Sequence, residues 1–196
     1  MKYISEYRDQ RLVEGYLKAI SGICSGEYRI MEVCGGHTMA IHRFGIPGLL
    51  PEGIKLVSGP GCPVCVTDIS FIDKAIELTN NPDNIICTFG DMIRVPGSVY
   101  SLEKQKIKYD NVRIVYSILE ALEIAINNKS SNVVFLAIGF ETTSPSTAVA
   151  IMKAYELRLN NFFILSAHKL MPPAMKAIVD FGVKIDGYLC PGHVSA

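Results

Sequence analysis

Residues 132–159, NVVFLAIGFETTSPSTAVAIMKAYELRL, decide the fold class of this chain. The stretch opens with an apolar run, passes through a polar turn and continues with residues of helical composition. A strand that is apolar along its whole length is typical of a parallel sheet covered by helices on both faces. The stretch therefore predicts a strand, a turn and a helix in succession.

The same pattern recurs along the chain. Apolar runs that end in turns containing glycine, cysteine or histidine occur at YRIMEVCGGHT (28–38), IKLVSGPGCPVC (54–65), NIICTFGDMIR (84–94), NFFILSAHKL (161–170) and DGYLC (186–190). Alternating strands and helices predict an α/β fold, with a Rossmann-like parallel sheet of about six strands flanked by helices. Two small lobes are the favoured arrangement, and a single doubly wound sheet is the alternative.

The domain prediction depends on the polar segment 96–110, which lacks clear periodicity and is interpreted as a linker. It would separate a first α/β lobe, residues 1–105 with the CGGH and GPGCPVC motifs, from a second lobe, residues 106–196. The segment VRIVYSILEALEIAINN (112–128) predicts one helix. No helix follows DGYLC, so we expect the sequence to be part of a longer protein and its second lobe to be incomplete.

The charge balance argues against nucleic acid and membrane partners. The chain has 19 basic and 19 acidic side chains, hence a formal net charge of zero. No apolar run approaches the ~18 residues of a membrane span, and the N-terminus MKYISEYRDQRLVEGYL lacks the pattern of a signal peptide. We therefore expect a cytoplasmic protein. In that compartment the six cysteines are more typical of metal ligands or redox groups than of structural disulfides.

Nearly all residues with distinctive chemistry follow a predicted strand directly. They are Cys34, His37, Cys62, Cys65, Asp91, Arg94, Glu141, Thr142, His168 and His193. Ligands of parallel α/β sheets bind at the carboxyl ends of the strands. We therefore expect these side chains to converge on one cleft or on two facing clefts.

The pair Cys62 and Cys65 admits several interpretations. A structural zinc site usually needs two such pairs, and the chain has only one. A redox dithiol and a metal-binding pair both remain. Cys34 and Cys62 each lie in a glycine-rich turn before a predicted helix, where the helix dipole favours a thiolate.

Each candidate also has a structural interpretation. Cys34 would then be an inert buried thiol, and His168 an ordinary loop histidine. Asp91 and Arg94 would simply pair with each other. Cys24 and Cys87 are interpreted as core thiols, His42 as a structural or surface residue and Cys190 as ambiguous.

Five motifs in this order resemble the HypD family of hydrogenase maturation factors. They are MEVCGGHT, GPGCPVCV, TFGDMIRVPGS, AIGFETTSPSTA and PGHVSA. The resemblance implies two Rossmann-like lobes and a third region with a [4Fe-4S] cluster. It also implies a role in assembling the Fe(CN)2CO group of [NiFe]-hydrogenases, in complex with a HypC-type chaperone and with a HypE-type cyanide donor.

Carried onto this sequence, the resemblance implies that the thiols of Cys34, Cys62 and Cys65 hold iron transiently and carry thiol redox chemistry. The residues implied to contact the iron group are Gly35, Gly36, His37, Thr38, Asp91 and Glu141. The protein would then be an assembly scaffold with redox activity. A thiol–disulfide oxidoreductase that uses Cys62 and Cys65 on protein substrates is the second hypothesis, and a binding module with inert thiols is the third.

Two departures from the family pattern limit what can be carried over. Met39 stands where the family often has a second histidine, and Val66 and its neighbours replace a frequent proline. The cluster cysteines of the family lie beyond the GHVS motif, and none of Cys24, Cys87 and Cys190 matches them. A [4Fe-4S] cluster is therefore expected only in that further C-terminal region.

Overall fold

A computed structural model describes residues 9–61, 64 and 66–192. These residues form two compact units, the first from 9–61 with 173–192 and the second from 64 with 66–172. In both units parallel strands are flanked by helices, which confirms the predicted α/β, Rossmann-like class.

The described elements alternate along the chain as the sequence predicts. In order they are α1 (Gln10–Ile23), β1 (Tyr28–Glu32), α2 (Gly35–Arg43), α3 (Ile46–Leu49), β2 (Ile54–Ser58), α4 (Ile69–Leu78), β3 (Asn84–Thr88), a 3-10 helix (Met92–Arg94), α5 (Leu102–Tyr109), β4 (Val112–Ile114), α6 (Ile118–Asn127), β5 (Asn132–Gly139), α7 (Ser144–Glu156), β6 (Phe162–His168), α8 (Met171–Asp180) and β7 (Gly187–Leu189).

The first unit contains a three-stranded parallel sheet in the order β2-β1-β7. Its register pairs Glu32 of β1 with Ser58 of β2 on one side and with Leu189 of β7 on the other. All three strands therefore end at the same edge. Because parallel strands present their carboxyl ends together, the residues after β1 and β2 lie next to each other.

The second unit contains a four-stranded parallel sheet in the order β4-β3-β5-β6. Every residue of β5 from Val133 to Gly139 is buried, as its uninterrupted apolar sequence predicts. One core cluster, with Ile86 and Leu136, covers one face, and a second cluster, with Cys87 and Phe135, covers the other. The prediction that Cys87 is a core thiol is confirmed, and burial raises its pKa to about 12.

Two local predictions were wrong. The segment interpreted as a linker contains α5, which buries Leu102 and Gln105, and the proposed lobe boundary at residue 105 falls inside this helix. The segment predicted as one helix begins instead with β4, since its β-branched residues pair with β3 in the register Ile86↔Val112. Helix α6 starts only after Ser117, whose side chain accepts the amide of Glu120.

The strand count differs slightly from the expectation, since residues 9–61, 64 and 66–192 contain seven strands rather than about six. These strands form two separate sheets, so the alternative of a single doubly wound sheet does not apply.

None of the helices in the described part of the chain could cross a bilayer. The longest, α1, has 14 residues, whereas a membrane-spanning helix needs about 20 apolar ones.

Candidate functional site

Cys34 lies at the carboxyl end of β1 and is the N-cap residue of α2. Its carbonyl oxygen accepts hydrogen bonds from the amides of His37 (2.9 Å) and Thr38 (3.1 Å). The helix begins at Gly35, so Gly35 and Gly36 belong to its first turn. The sequence had instead predicted a glycine-rich turn before the helix. The half-buried Cys34 thiol therefore lies at the N-terminus of α2.

Two glycines of the GPG segment lie directly against this turn. A Cβ on Gly61 would come within 2.9 Å of the Cα and N atoms of Cys34 and the N atom of Gly35. A Cβ on Gly59 would come within 2.7 Å of the Glu32 carbonyl oxygen. Only glycine allows backbones to approach this closely. The segment that leads into Cys62 therefore starts against the Cys34 backbone.

Glu32 connects the two segments through its side chain. It is the last residue of β1 and only 3% exposed. Its carboxylate accepts hydrogen bonds from Thr38 Oγ1 (2.8 Å) and Ser58 Oγ (2.7 Å). Sequence reasoning missed both Glu32 and Ser58. The signal that could have found Glu32 is a charged residue inside an apolar strand, since such residues are rarely buried without partners.

His37 lies in the first turn of α2. Its Nδ1 atom is buried and has no hydrogen-bond partner among the residues that the structure describes. Met39, which replaces the second histidine of the resembled motif, is 73% exposed. His42 is exposed near the end of α2, as predicted for a surface residue.

In the second unit, Glu141 follows a strained turn at the end of β5. Gly139 has φ +124°, and a Cβ there would collide with Thr143 Oγ1. The Thr143 hydroxyl donates to the carbonyl oxygens of Ile138 (3.1 Å) and Phe140 (3.0 Å) and closes the turn. Glu141 Oε1 then accepts the Met171 amide at the start of α8 (2.8 Å).

His168 ends β6, with Gly139 of β5 as its partner in the register. Its Nδ1 lies 3.2 Å from Ser166 Oγ, and burial lowers its pKa, so the imidazole is neutral near pH 7. Within the described residues, neither His168 Nε2 nor Glu141 Oε2 has a hydrogen-bond partner, although both atoms are buried. The sheet register and the bond to Met171 thus bring Glu141 and His168 to the same end of the second sheet.

Asp91 and Arg94 also follow a strand of the second sheet, at the 3-10 helix after β3. Arg94 pairs with Glu103 (3.3 Å), with both side chains largely exposed. Asp91, Arg94 and Glu103 line an open groove of about 680 Å³. Thr142 is exposed in the turn after β5.

Cys62, Cys65 and His193 lie outside the described residues, so their predicted roles stay predictions. Val64, between the two cysteines, is partly buried against the core of the second unit. Three residues after Cys65, Asp68 caps α4 by accepting the Ser70 amide (2.8 Å). Hydrogen bonds from Ser70 and the nearby charge of Lys169 lower the Asp68 pKa.

The predicted site residues therefore fall into two groups. Cys34, Gly35, Gly36, His37 and Thr38 lie together in the first unit, while Asp91, Glu141 and His168 lie in the second. Among residues 9–61, 64 and 66–192, no three His, Cys, Asp or Glu side chains are close enough to hold a metal ion. Only Cys34 of the three predicted iron ligands is within that part of the chain.

Residues 11–196 match the family model HypD, described as the hydrogenase formation hypA family. The chain belongs to the HypD family. It is 46% identical to hydrogenase maturation factor HypD2 of Bradyrhizobium diazoefficiens, 47% identical to HypD of Azotobacter vinelandii and 42% identical to HypD of Escherichia coli. The match covers 100% of this chain and 54% of each of these HypD proteins. The chain thus spans about half the length of these relatives.

Proposed function

We propose that this HypD-family chain takes part in hydrogenase maturation by holding iron while the Fe(CN)2CO group is assembled. The iron is a substrate of this assembly, and the thiolates of Cys34, Cys62 and Cys65 bind it transiently. A HypC-type chaperone binds alongside, and a HypE-type protein supplies cyanide. The observation that carries the proposal is the contact of Gly61 with the backbone of Cys34 and Gly35.

That contact matters because Gly61 is bonded to Cys62. The segment that carries the CxxC pair therefore starts against the turn that carries the Cys34 thiol. Iron with strong-field cyanide and carbonyl ligands is soft, and thiolate sulfur is the protein ligand that suits it. Cys34 is the N-cap residue of α2, so its sulfur lies next to the start of that helix.

The neighbouring polar groups fit a supporting role. Thr38 and His37 lie in the same first turn as the thiol, and the buried His37 Nδ1 has no partner in the described residues. An imidazole nitrogen can donate to a cyanide nitrogen or accept a proton from an approaching thiol. Asp91 and Glu141 are proposed to serve the iron group as well, with the weaker support that both follow strands of the second sheet.

The test uses the full-length protein co-expressed with its HypC-type chaperone and examined by infrared spectroscopy. We expect CN and CO stretching bands in the wild type and their loss in C34A. C24A is the matched control, since Cys24 is another half-buried thiol of the first unit. Retention of the bands in C34A would exclude Cys34 as an iron ligand.

The second candidate function is thiol–disulfide exchange on protein substrates, which the CxxC spacing favours. A thiolate of the pair would attack a substrate disulfide, and the other cysteine would resolve the mixed disulfide, leaving the substrate reduced and the pair oxidised. This function predicts that the full-length protein reduces a small aromatic disulfide with undiminished rate in C34A. Slow alkylation of all six cysteines would instead favour a binding module with inert thiols.

A further inference from the structure

The carboxylate of Glu32 has an unusual environment. It is 3% exposed at the end of β1, and its side-chain hydrogen bonds within the described residues come from two neutral hydroxyls. Buried carboxylates normally have a cationic partner or several donors, because the loss of hydration must be offset. Because burying the Glu32 carboxylate costs hydration free energy, we looked for a specific role for this side chain in its hydrogen bonds.

The two hydroxyls belong to the two cysteine motifs. Thr38 lies in the first turn of α2, and its amide and hydroxyl both approach the Cys34 carbonyl oxygen, at 3.1 Å and 3.4 Å. Ser58 is the residue before the GPG segment, and the next amide, that of Gly59, donates to the Glu32 carbonyl oxygen (2.8 Å). Glu32 therefore contacts the Cys34 turn through Thr38. It contacts the residues that lead into the CxxC pair through Ser58 and Gly59.

We propose that Glu32 is a positioning residue that fixes the Cys34 thiol relative to the start of the GPGCPVC segment. Both hydroxyls donate to the Glu32 carboxyl oxygens, so both turn their protons toward it. One side chain thereby sets the rotamers of Thr38 and Ser58 together. The inference rests on the proposed function only in taking Cys34 as the functional thiol.

The most informative substitution is Glu32→Gln. Glutamine has nearly the same volume, but its amide nitrogen donates, so one of the two hydroxyls must reverse its role. The fold can keep this arrangement, whereas the direction of one hydrogen bond at the Cys34 turn changes. Glu32→Ala would leave the Ser58 hydroxyl without its acceptor and the Thr38 hydroxyl with only the Cys34 carbonyl oxygen at 3.4 Å. It would therefore test stability rather than positioning.

The experiment measures alkylation of the full-length protein by iodoacetamide, resolved residue by residue with mass spectrometry. The readout is the rate at Cys34 divided by the rate at Cys24, a half-buried thiol of the same unit. In E32Q we expect this ratio to change by about threefold or more, as for groups that share a hydrogen bond, with an unchanged Tm. D73N is the matched control, because Asp73 also accepts two hydrogen bonds, both from Ser98; its ratio should equal that of the wild type.

A mutant cycle tests whether the effect runs through Thr38. We expect T38V to shift the ratio as E32Q does, and the double variant E32Q/T38V to shift it little further. T38S keeps the hydroxyl, so its ratio should equal that of the wild type. A ratio in E32Q equal to that of the wild type, or a parallel change at Cys34 and Cys24 together with a lower Tm, would overturn the inference. Alkylation needs no iron, so infrared bands that persist in C34A would exclude Cys34 as an iron ligand and would leave the positioning of its thiol by Glu32 standing.

Discussion

The two units of the chain are built differently. In the second, β5 is buried along nearly its whole length between two apolar clusters. In the first, helices α1, α3 and α8 contain no buried residue, and an apolar cavity of about 560 Å³ lies beside the sheet, lined by Ile20, Ile30 and Leu56 among others. The second unit therefore owes its stability to packing. The first instead has a buried polar group at the edge of its sheet, where Glu32 accepts hydrogen bonds from Thr38 and Ser58.

The largest expected effect is in the core of the second unit. Phe135 is 1% exposed and packs edge-on against Phe89, with ring centroids 5.4 Å apart. Phe135→Ala should lower the free energy of unfolding by about 3–5 kcal/mol because it leaves a cavity. Leu12→Ala in α1, where the side chain is 50% exposed, should change it by less than about 0.5 kcal/mol. Urea titration followed by circular dichroism measures both, and equal losses would refute the contrast.

Glycine substitutions sharpen the comparison. Gly139→Ala places a Cβ at φ +124° against Thr143, so we expect a loss of about 1–3 kcal/mol. The added Cβ of Gly187→Ala in β7 meets no atom of the described residues within 4 Å, so this variant should change the stability by less than about 0.5 kcal/mol. The same titration compares the two variants, and a tolerated Gly139→Ala would show that the turn before Glu141 can relax.

A helix cap gives a smaller effect. The Ser117 side chain accepts the Glu120 amide at the start of α6, so Ser117→Ala should cost about 1 kcal/mol. Ser101, the N-cap residue of α5, makes no such bond and supplies the matched control. If Ser101→Ala costs as much as Ser117→Ala in thermal unfolding, the capping bond is not the cause.

The smallest effect is a pH dependence. Burial lowers the pKa of His168 in the folded state, so below pH ~6.5 the unfolded chain binds the proton more readily than the folded one. Stability should therefore be complete above pH ~6.5 and fall as the pH drops through the lowered folded-state value. We expect His168→Gln to flatten this acid limb of Tm against pH. His42→Gln, at an exposed position of α2, should leave the limb as it is.

Sequence patterns predicted the parts of the fold that depend on local composition. The apolar run of β5 and the core position of Cys87 follow from periodicity and short-range chemistry. Helix α5 was missed because only Leu102 and Gln105 are buried on an otherwise polar segment. Strand β4 was missed because it has only three residues, Val112, Arg113 and Ile114, and they adopt the strand conformation by pairing with β3.

The candidate site was predictable only in part, for the same reason. The placement of Cys34 at a strand end before a helix follows from the sequence. The link from Glu32 to Ser58 depends on the β1–β2 register, which joins residues 26 positions apart. A single sequence carries no direct signal of such a register, because any in-phase shift of two residues preserves the apolar pattern.

The close seating of Gly59 on β1 has a practical consequence. Its amide proton is held by the Glu32 carbonyl oxygen at 2.8 Å, so it exchanges with solvent deuterium only when the segment lifts away. The exchange rate of this one amide hydrogen therefore reports how often the start of the GPGCPVC segment detaches from β1. It can be measured without modifying or oxidising any cysteine.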